Sequence, residues 1–179
     1  SPTPIREALR RLSSENAIEV LGNRRLRVPP MNPGLFEELV QLRTTLEVHA
    51  ATRAFPYISD MAIEGLAALD AQMDDALARR DLDALTRINQ LFHKTLYALN
   101  PNQAAIPLIE SVWLQLGPFQ RQVIEHIDPV ATEDHHKEML SALRERDLPA
   151  LCAAIEADVH DGSIRAGRQM LQMPAQPGP

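Results

Sequence analysis

Apolar side chains return every three or four positions along most of this chain, and the first thirty residues depart from that rhythm part-way. Ile5, Ala8, Leu9 and Leu12 form one helical stripe, with Thr3 able to cap the helix and Pro4 at its first position, where a missing N–H costs nothing. The stretches 18–21 and 25–28, separated by Gly22-Asn23, then read as a short β-hairpin. In it Leu26 and Val28 take one face and Arg25 and Arg27 the other. Pro29-Pro30 and Asn32-Pro33-Gly34 mark a hinge. Beyond it the period predicts helices over 34–54, 59–79, 81–99, 102–126, 130–146 and 148–172, with Pro107 and Gly117-Pro118 set to start, kink or split the fourth. No alternating strand pattern follows residue 30, so the class is mainly α, a helix and hairpin followed by an all-α antiparallel helical bundle. The PAQPGP ending, within 173–179, reads as a disordered tail.

Length and composition narrow the setting. A chain of 179 residues with 45% apolar side chains can bury one good core. It has no run of the roughly 18 apolar residues a membrane span needs and no secretory pattern at its start, which points to a cytoplasmic protein with no membrane partner. The single Cys152 excludes an internal disulfide framework and a multi-thiolate zinc site, and its position in a helical pattern makes it a small core residue. The net charge of −6 conceals an asymmetry. Residues 1–30 carry six Arg against three Glu, net +3, and the remainder is net −9. That is the pattern of a basic end facing nucleic acid on an acidic body.

The charge of the opening helix is concentrated. Arg6 and Arg10 stand four apart on one face, Glu7 lies within pairing distance of both Arg10 and Arg11, and Arg6 has no carboxylate three or four residues away. Close to a helix N-terminus this surplus makes an anion-seeking surface, although a solvated helix face would look the same. The order SPTPIREALRRLSSENAIEVLGNRRLRVPP resembles the second half of the winged helix-turn-helix of GntR-type transcription regulators. The Ser-x-Thr-Pro-hydrophobic-Arg-Glu-Ala-Leu run, the following Leu and the arginine-containing wing match in register. The resemblance implies that Ser1, Thr3, Arg6 and Arg10 face double-stranded operator DNA, with Arg24, Arg25 and Arg27 on the wing. Pro2 stands where the family usually has a DNA-contacting Arg, and Arg25 replaces the usual wing glycine. Residues 1–30 are thus expected to be the C-terminal half of a winged domain. Such a unit cannot bury a core by itself, so an N-terminal segment on the order of 30–45 residues, with the initiator Met, is expected to precede it.

Residues 31–172 carry polar groups at core positions of three helices. Asn89 and His93 share a helix face in INQLFHKTL. His135 and His136 are about 100° apart around their helix, so one of them can point squarely inward, and Met139, Leu140 and Leu143 make His136 that one. Asp158 lies on the stripe of Leu151 and Ile155, and His160 is turned away from it. A buried imidazole or carboxylate needs a partner. Hydrogen bonds within the core would provide it, and so would a divalent metal, of which Zn²⁺, Ni²⁺, Mn²⁺ and Fe²⁺ all suit the donor set. Arg43 reads as a surface partner of Glu47 four residues on. His49, His126 and His135 read as surface or helix-end residues, Trp113 and Phe119 as core.

This body resembles the FCD effector domain of the FadR-like branch of GntR regulators, on LRTTLEVHAATRA, on the Asn89-to-His93 segment ending in Phe-His, and on HKEMLSALRERD followed by AAIEAD. The resemblance implies metal ligands Asn89, His93 and His136, with Asp158 where the last His commonly stands, and a small carboxylate effector held by Arg43. It further implies a homodimer reading two half-sites, an effector-binding and dimerisation domain over 31–172, and no enzymatic activity. The competing readings are a small all-α metal-dependent hydrolase with Glu133 or Glu138 as base, and a helical dimerisation module without metal or ligand. The hydrolase leaves the basic helix and wing unexplained.

Overall fold

The computed structural model describes residues 2–22, 25–124, 135–161 and 165–172. A first helix, α1 (Pro2–Ser14), leads into a two-stranded antiparallel hairpin, β1 (Glu19–Val20) and β2 (Leu26–Arg27), in which Glu19 faces Arg27 and Val20 faces Leu26. Seven helices follow: α2 (Pro33–Ala54), α3 (Asp60–Ala78), α4 (Leu82–Tyr97), α5 (Ile106–Ile124), α6 (His135–Glu145), α7 (Leu148–Val159) and α8 (Arg165–Gln172). The mainly α class is as the periodicity predicts.

Three boundaries differ from expectation for physical reasons. α1 already includes Pro2 and Thr3, so Thr3 lies inside the first turn and does not cap it. Pro118 neither splits nor ends α5. Its missing N–H frees the carbonyl of Leu114, but both residues are exposed and water can take that acceptor. The helix expected over 148–172 ends at Val159, and a separate α8 starts at Arg165. Pro107, in the first turn of α5, starts that helix as expected.

The helices after the hinge are joined by a repeated device. Arg80 and Arg146 both take positive φ, 54° and 57°, just past the ends of α3 and α6. The next residues, Asp81 and Asp147, donate their backbone N–H groups back to Ala76 and Ala142 at 2.9 Å. The same aspartates then cap α4 and α7 with their side chains, accepting from Ala84 at 3.0 Å and Ala150 at 2.9 Å. One Arg-Asp-Leu sequence thus closes a helix and opens the next within two residues, and α3/α4 and α6/α7 become tight antiparallel hairpins. α2 runs against α4, α5 and α7. Its buried residues Phe36, Val40, Arg43, Glu47, Ala50 and Ala54 follow helical spacing, which places one arginine and one glutamate on the stripe facing the core.

The apolar interior falls into two clusters. The larger joins α2, α3, α4, α5, α6 and α7 around Leu66, Phe92, Leu96, Met139 and Leu143. The smaller holds Phe36, Leu39, Val112, Leu116, Phe119 and Val159, with Met170 and Leu171 of α8 against it. Phe36 and Phe119 meet edge to face at 5.2 Å, and Gly167 lies on them. Glu37 and Arg168 tie α2 to α8 by two parallel bonds of 2.5 and 2.6 Å. A Cβ on Gly167 would sit 2.7 Å from Cζ of Phe36 and 3.1 Å from Phe119, so α8 can dock this closely only without a side chain there. Gly167→Ala is expected to cost about 1–3 kcal/mol, measured by urea unfolding; an unchanged midpoint would mean that α8 is not docked on this ring pair.

Candidate functional site

Four helices bring polar side chains to one point inside the bundle. From α4 come Asn89, His93 and Tyr97, each four residues after the last and therefore on one face. α6 supplies His136 from its first turn, and α7 supplies Asp158 from its last. α2 supplies Arg43 and Glu47. One ligand atom each of His93, His136 and Asp158 lie within 4.8 Å of one another. Nε2 of His93 is 3.2 Å from Oδ2 of Asp158, and Nε2 of His136 is 4.0 Å from Oδ1 of the same carboxylate. The amide nitrogen of Asn89 lies 3.1 Å from Nε2 of His136, so the fourth expected residue reaches the cluster through its amide. Phe92 sets its ring edge-on against His136 at 4.8 Å and against His93 at 5.6 Å, holding both imidazoles in an apolar frame.

Among the described residues, Nε2 of His93 is the one buried side-chain nitrogen or oxygen without a hydrogen bond. The Asp158 oxygen is close to it but out of line with the ring. A fully buried imidazole nitrogen facing a carboxylate and a second imidazole is what a divalent cation would satisfy, and the donor set fits such an ion. Burial opposes ionisation of Asp158, and the guanidinium of Arg43 favours it.

Behind His93 lies a network that sequence reasoning missed. Glu47 is fully buried and accepts from Nε of Arg43 at 2.6 Å, from the Trp113 indole at 2.7 Å and from the Tyr97 hydroxyl at 2.7 Å. Nδ1 of His93 is 3.1 Å from that hydroxyl. Burial works against charge on Glu47, but Arg43 keeps its pKa low; burial likewise opposes charge on Arg43, and Glu47 and Asp158 raise its pKa in return. Burial, and then Glu47, push the Tyr97 phenol well above its ordinary value, so it keeps its proton. Arg43 is therefore not a surface residue. Its Nε is committed to Glu47. The signal available beforehand was the stripe from Phe36 to Ala54, on which both Arg43 and Glu47 fall.

Other expectations are corrected. His135 is buried rather than on the surface, its Nδ1 2.9 Å from Glu138 and its Nε2 3.2 Å from Asp161, so both members of the His135-His136 pair are buried. Cys152 is only half-buried, with Sγ 3.6 Å from the Thr52 hydroxyl. His49 and His160 are exposed as expected, and Trp113 is core with its indole spoken for. His126, Glu133 and the tail 173–179 lie outside the described residues.

At the basic end, Thr3, Arg6, Arg10, Arg25 and Arg27 are all exposed; Ser1 and Arg24 lie outside the described residues. Glu7 pairs with Arg10 at 3.8 Å but not with Arg11, which turns to Glu15 at 3.1 Å. Arg27 pairs across the hairpin with Glu19. No helix among the described residues is long and apolar enough to cross a membrane.

Comparison with known proteins decides what this arrangement belongs to. The FCD domain model matches residues 38–161, the segment that carries every residue of the interior cluster. The chain belongs to the FCD-domain family. Its relatives are GntR-type transcription regulators, as the sequence resemblance implies, and not enzymes, so the hydrolase reading is set aside. The chain is 28% identical over 150 residues to the helix-turn-helix-type transcriptional regulator McbR of Escherichia coli K12, covering 82% of this chain and 68% of that protein. It is 32% identical over 101 residues to a helix-turn-helix-type regulator from the TAR-I ttuE-ttuC' intergenic region of Agrobacterium vitis, covering 55% of this chain and 59% of that one. The structure of E. coli McbR/YncC superposes with a TM-score of 0.86 at 26% identity over 95% of this chain and 81% of that chain. A GntR-family regulator from Pseudomonas syringae pv. tomato DC3000 shares the fold at a TM-score of 0.64 and 23% identity, over 96% and 72% of the two chains.

The buried ion pair gives this FCD domain a measurable dependence. Glu47→Ala leaves the Arg43 charge buried without its partner and should cost about 3–5 kcal/mol in urea unfolding. A loss below about 1 kcal/mol would show that Arg43 escapes to solvent instead.

Proposed function

We propose that this chain is part of a ligand-responsive, DNA-binding regulator whose FCD domain senses a small organic acid at a divalent-metal site. In this reading residues 1–30 are the C-terminal half of the winged DNA-binding unit and 31–172 the effector-binding and dimerisation domain. The observation that carries it is the buried, unpartnered Nε2 of His93 set against Asp158 and His136. His93, His136 and Asp158 would hold the ion, with Asn89 joining if its amide turns to present oxygen. The metal would supply a positive pole for an effector carboxylate. Arg43 offers the second anchor. With Nε fixed by Glu47, its Nη groups are left to form a forked pair with the same carboxylate.

The DNA side of the reading rests on exposed cations. Arg6 makes no ion pair among the described residues, whereas Arg10 and Arg27 share their charge with Glu7 and Glu19. As a homodimer the regulator would read two half-sites in the cytoplasm, and an effector would act by preferring one arrangement of the two winged units over another.

Three sets of measurements test this. Metal content and calorimetric titration with Zn²⁺, Ni²⁺, Mn²⁺ and Fe²⁺ should show one site per chain, lost in His93→Ala and in His136→Ala; unchanged metal content in both variants refutes the site. Arg43→Lys keeps the charge but not the fork, and should weaken a stabilising carboxylate found by thermal shift by at least about tenfold while leaving metal content intact. On the DNA side, Arg6→Ala should reduce the slope of log affinity against log salt by about 1, read by fluorescence anisotropy; an unchanged slope removes Arg6 from the interface.

A further inference from the structure

His93 touches two different neighbourhoods, and its two ring nitrogens are treated unequally. Nδ1 faces the Tyr97 hydroxyl at 3.1 Å, and Nε2 faces Asp158 at 3.2 Å without hydrogen-bond alignment. Which nitrogen carries the proton decides whether the ring can ligate a cation at all, because a protonated Nε2 has no lone pair to give.

For a neutral His93, counting protons around Tyr97 decides between the two ring nitrogens. The hydroxyl has one proton and two candidate acceptors, Glu47 and His93. Glu47 is fully buried, Tyr97 is the donor to its Oε2, and the bond is 2.7 Å, the shorter of the two. Bonds to an ionised acceptor are roughly twice as strong as those between neutral groups, so the tyrosine proton goes to Glu47. The phenolic oxygen must then accept, and Nδ1 of His93 must be the donor. The opposite assignment would send the phenolic proton to Nδ1 and leave Oε2 of Glu47 buried without a donor. It would also put a proton on Nε2, which has no aligned acceptor. Direct bonding between His93 and Glu47 is ruled out by their 3.7 Å separation, so Tyr97 is a necessary bridge.

We infer that Glu47 and Tyr97 are positioning residues: through Tyr97 the buried Glu47 carboxylate fixes His93 as its Nδ1–H tautomer and keeps the Nε2 lone pair turned toward Asp158 and His136 for a divalent cation. The consequence for the cation rests on the metal-site reading, while the tautomer rests on the hydrogen-bond geometry alone. Arg43 and Trp113 both bond the other oxygen, Oε1, and leave Oε2 to Tyr97. The carboxylate is thereby held by three donors from α2, α4 and α5, and its orientation toward the relay is not free to drift.

The test uses the whole chain, ¹⁵N-labelled and treated with chelator, with Zn²⁺ as the probe. Histidine side-chain ¹⁵N–¹H correlation of the metal-free protein should show His93 protonated at Nδ1 and bare at Nε2. Tyr97→Phe keeps the ring but removes the acceptor; it should abolish that single-tautomer signature and weaken Zn²⁺ binding about 10–100-fold. Gly167→Ala, which crowds the Phe36–Phe119 pair and touches no residue of the relay, should lower stability yet leave the tautomer and Zn²⁺ affinity as they are. A proton on Nε2 in the metal-free wild type overturns the inference. So does a Tyr97→Phe protein with unaltered tautomer and Zn²⁺ affinity. The tautomer is read without metal, so failure of the wild type to bind Zn²⁺ would count against the metal site and leave this inference to be decided by the spectrum.

Discussion

A carboxylate with no exposure at all is the constraint around which this bundle is organised. Glu47 cannot stay ionised in the interior unless its oxygens are met, since an uncompensated buried charge costs several kcal/mol. Three helices meet them: α2 with Arg43, α4 with Tyr97 and α5 with Trp113. Each of these donors is itself buried, so the relative placement of the three helices is restricted by directional bonds as well as by apolar packing. His93 inherits its orientation from this arrangement, being tied to Tyr97 on its own helix and backed by Phe92.

The remaining polar residues reach the site because of how short the connections are. The Arg-Asp-Leu turns at 80–82 and 146–148 leave no slack between α3 and α4 or between α6 and α7. A short hairpin fixes which face of the second helix looks back at the first. His136 at the start of α6 and Asp158 near the end of α7 lie at the same end of their antiparallel hairpin, and α7 runs against α2. His135, one residue before His136, reinforces this end by bonding Glu138 within α6 and Asp161 just past α7. The site is thus assembled from two rigid hairpins and one long helix.

Most of the bundle was legible in the sequence because it rests on local physics: helical period, proline and glycine punctuation, and aspartate caps. That His93, His136 and Asp158 are polar residues on otherwise apolar stripes was legible for a similar reason; that they form one set was implied by the family resemblance and not by the period. Glu47, Tyr97 and the bonded role of Trp113 were not. Glu47 and Arg43 are four apart, and that spacing describes a surface pair and a buried pair equally well; only partners 50 and 66 residues away decide which. The burial of His135 likewise depends on Asp161, 26 residues on. At the basic end the sequence showed which arginines stand near carboxylates, but not that Arg11 prefers Glu15 to Glu7, nor that Arg27 pairs across the hairpin. Those choices depend on side-chain direction, which periodicity does not carry.

The account stands or falls on whether the two imidazoles and the Asp158 carboxylate share one cation. X-ray absorption at the metal edge of the Zn²⁺-loaded chain measures this directly, because imidazole rings leave a multiple-scattering signature that water and carboxylate do not. Two histidines among the ion's ligands in the wild-type chain is the result expected from this arrangement. An ion with no imidazole ligand, or with only one, would contradict it and leave the His93–Asp158 contact as a feature of the core alone.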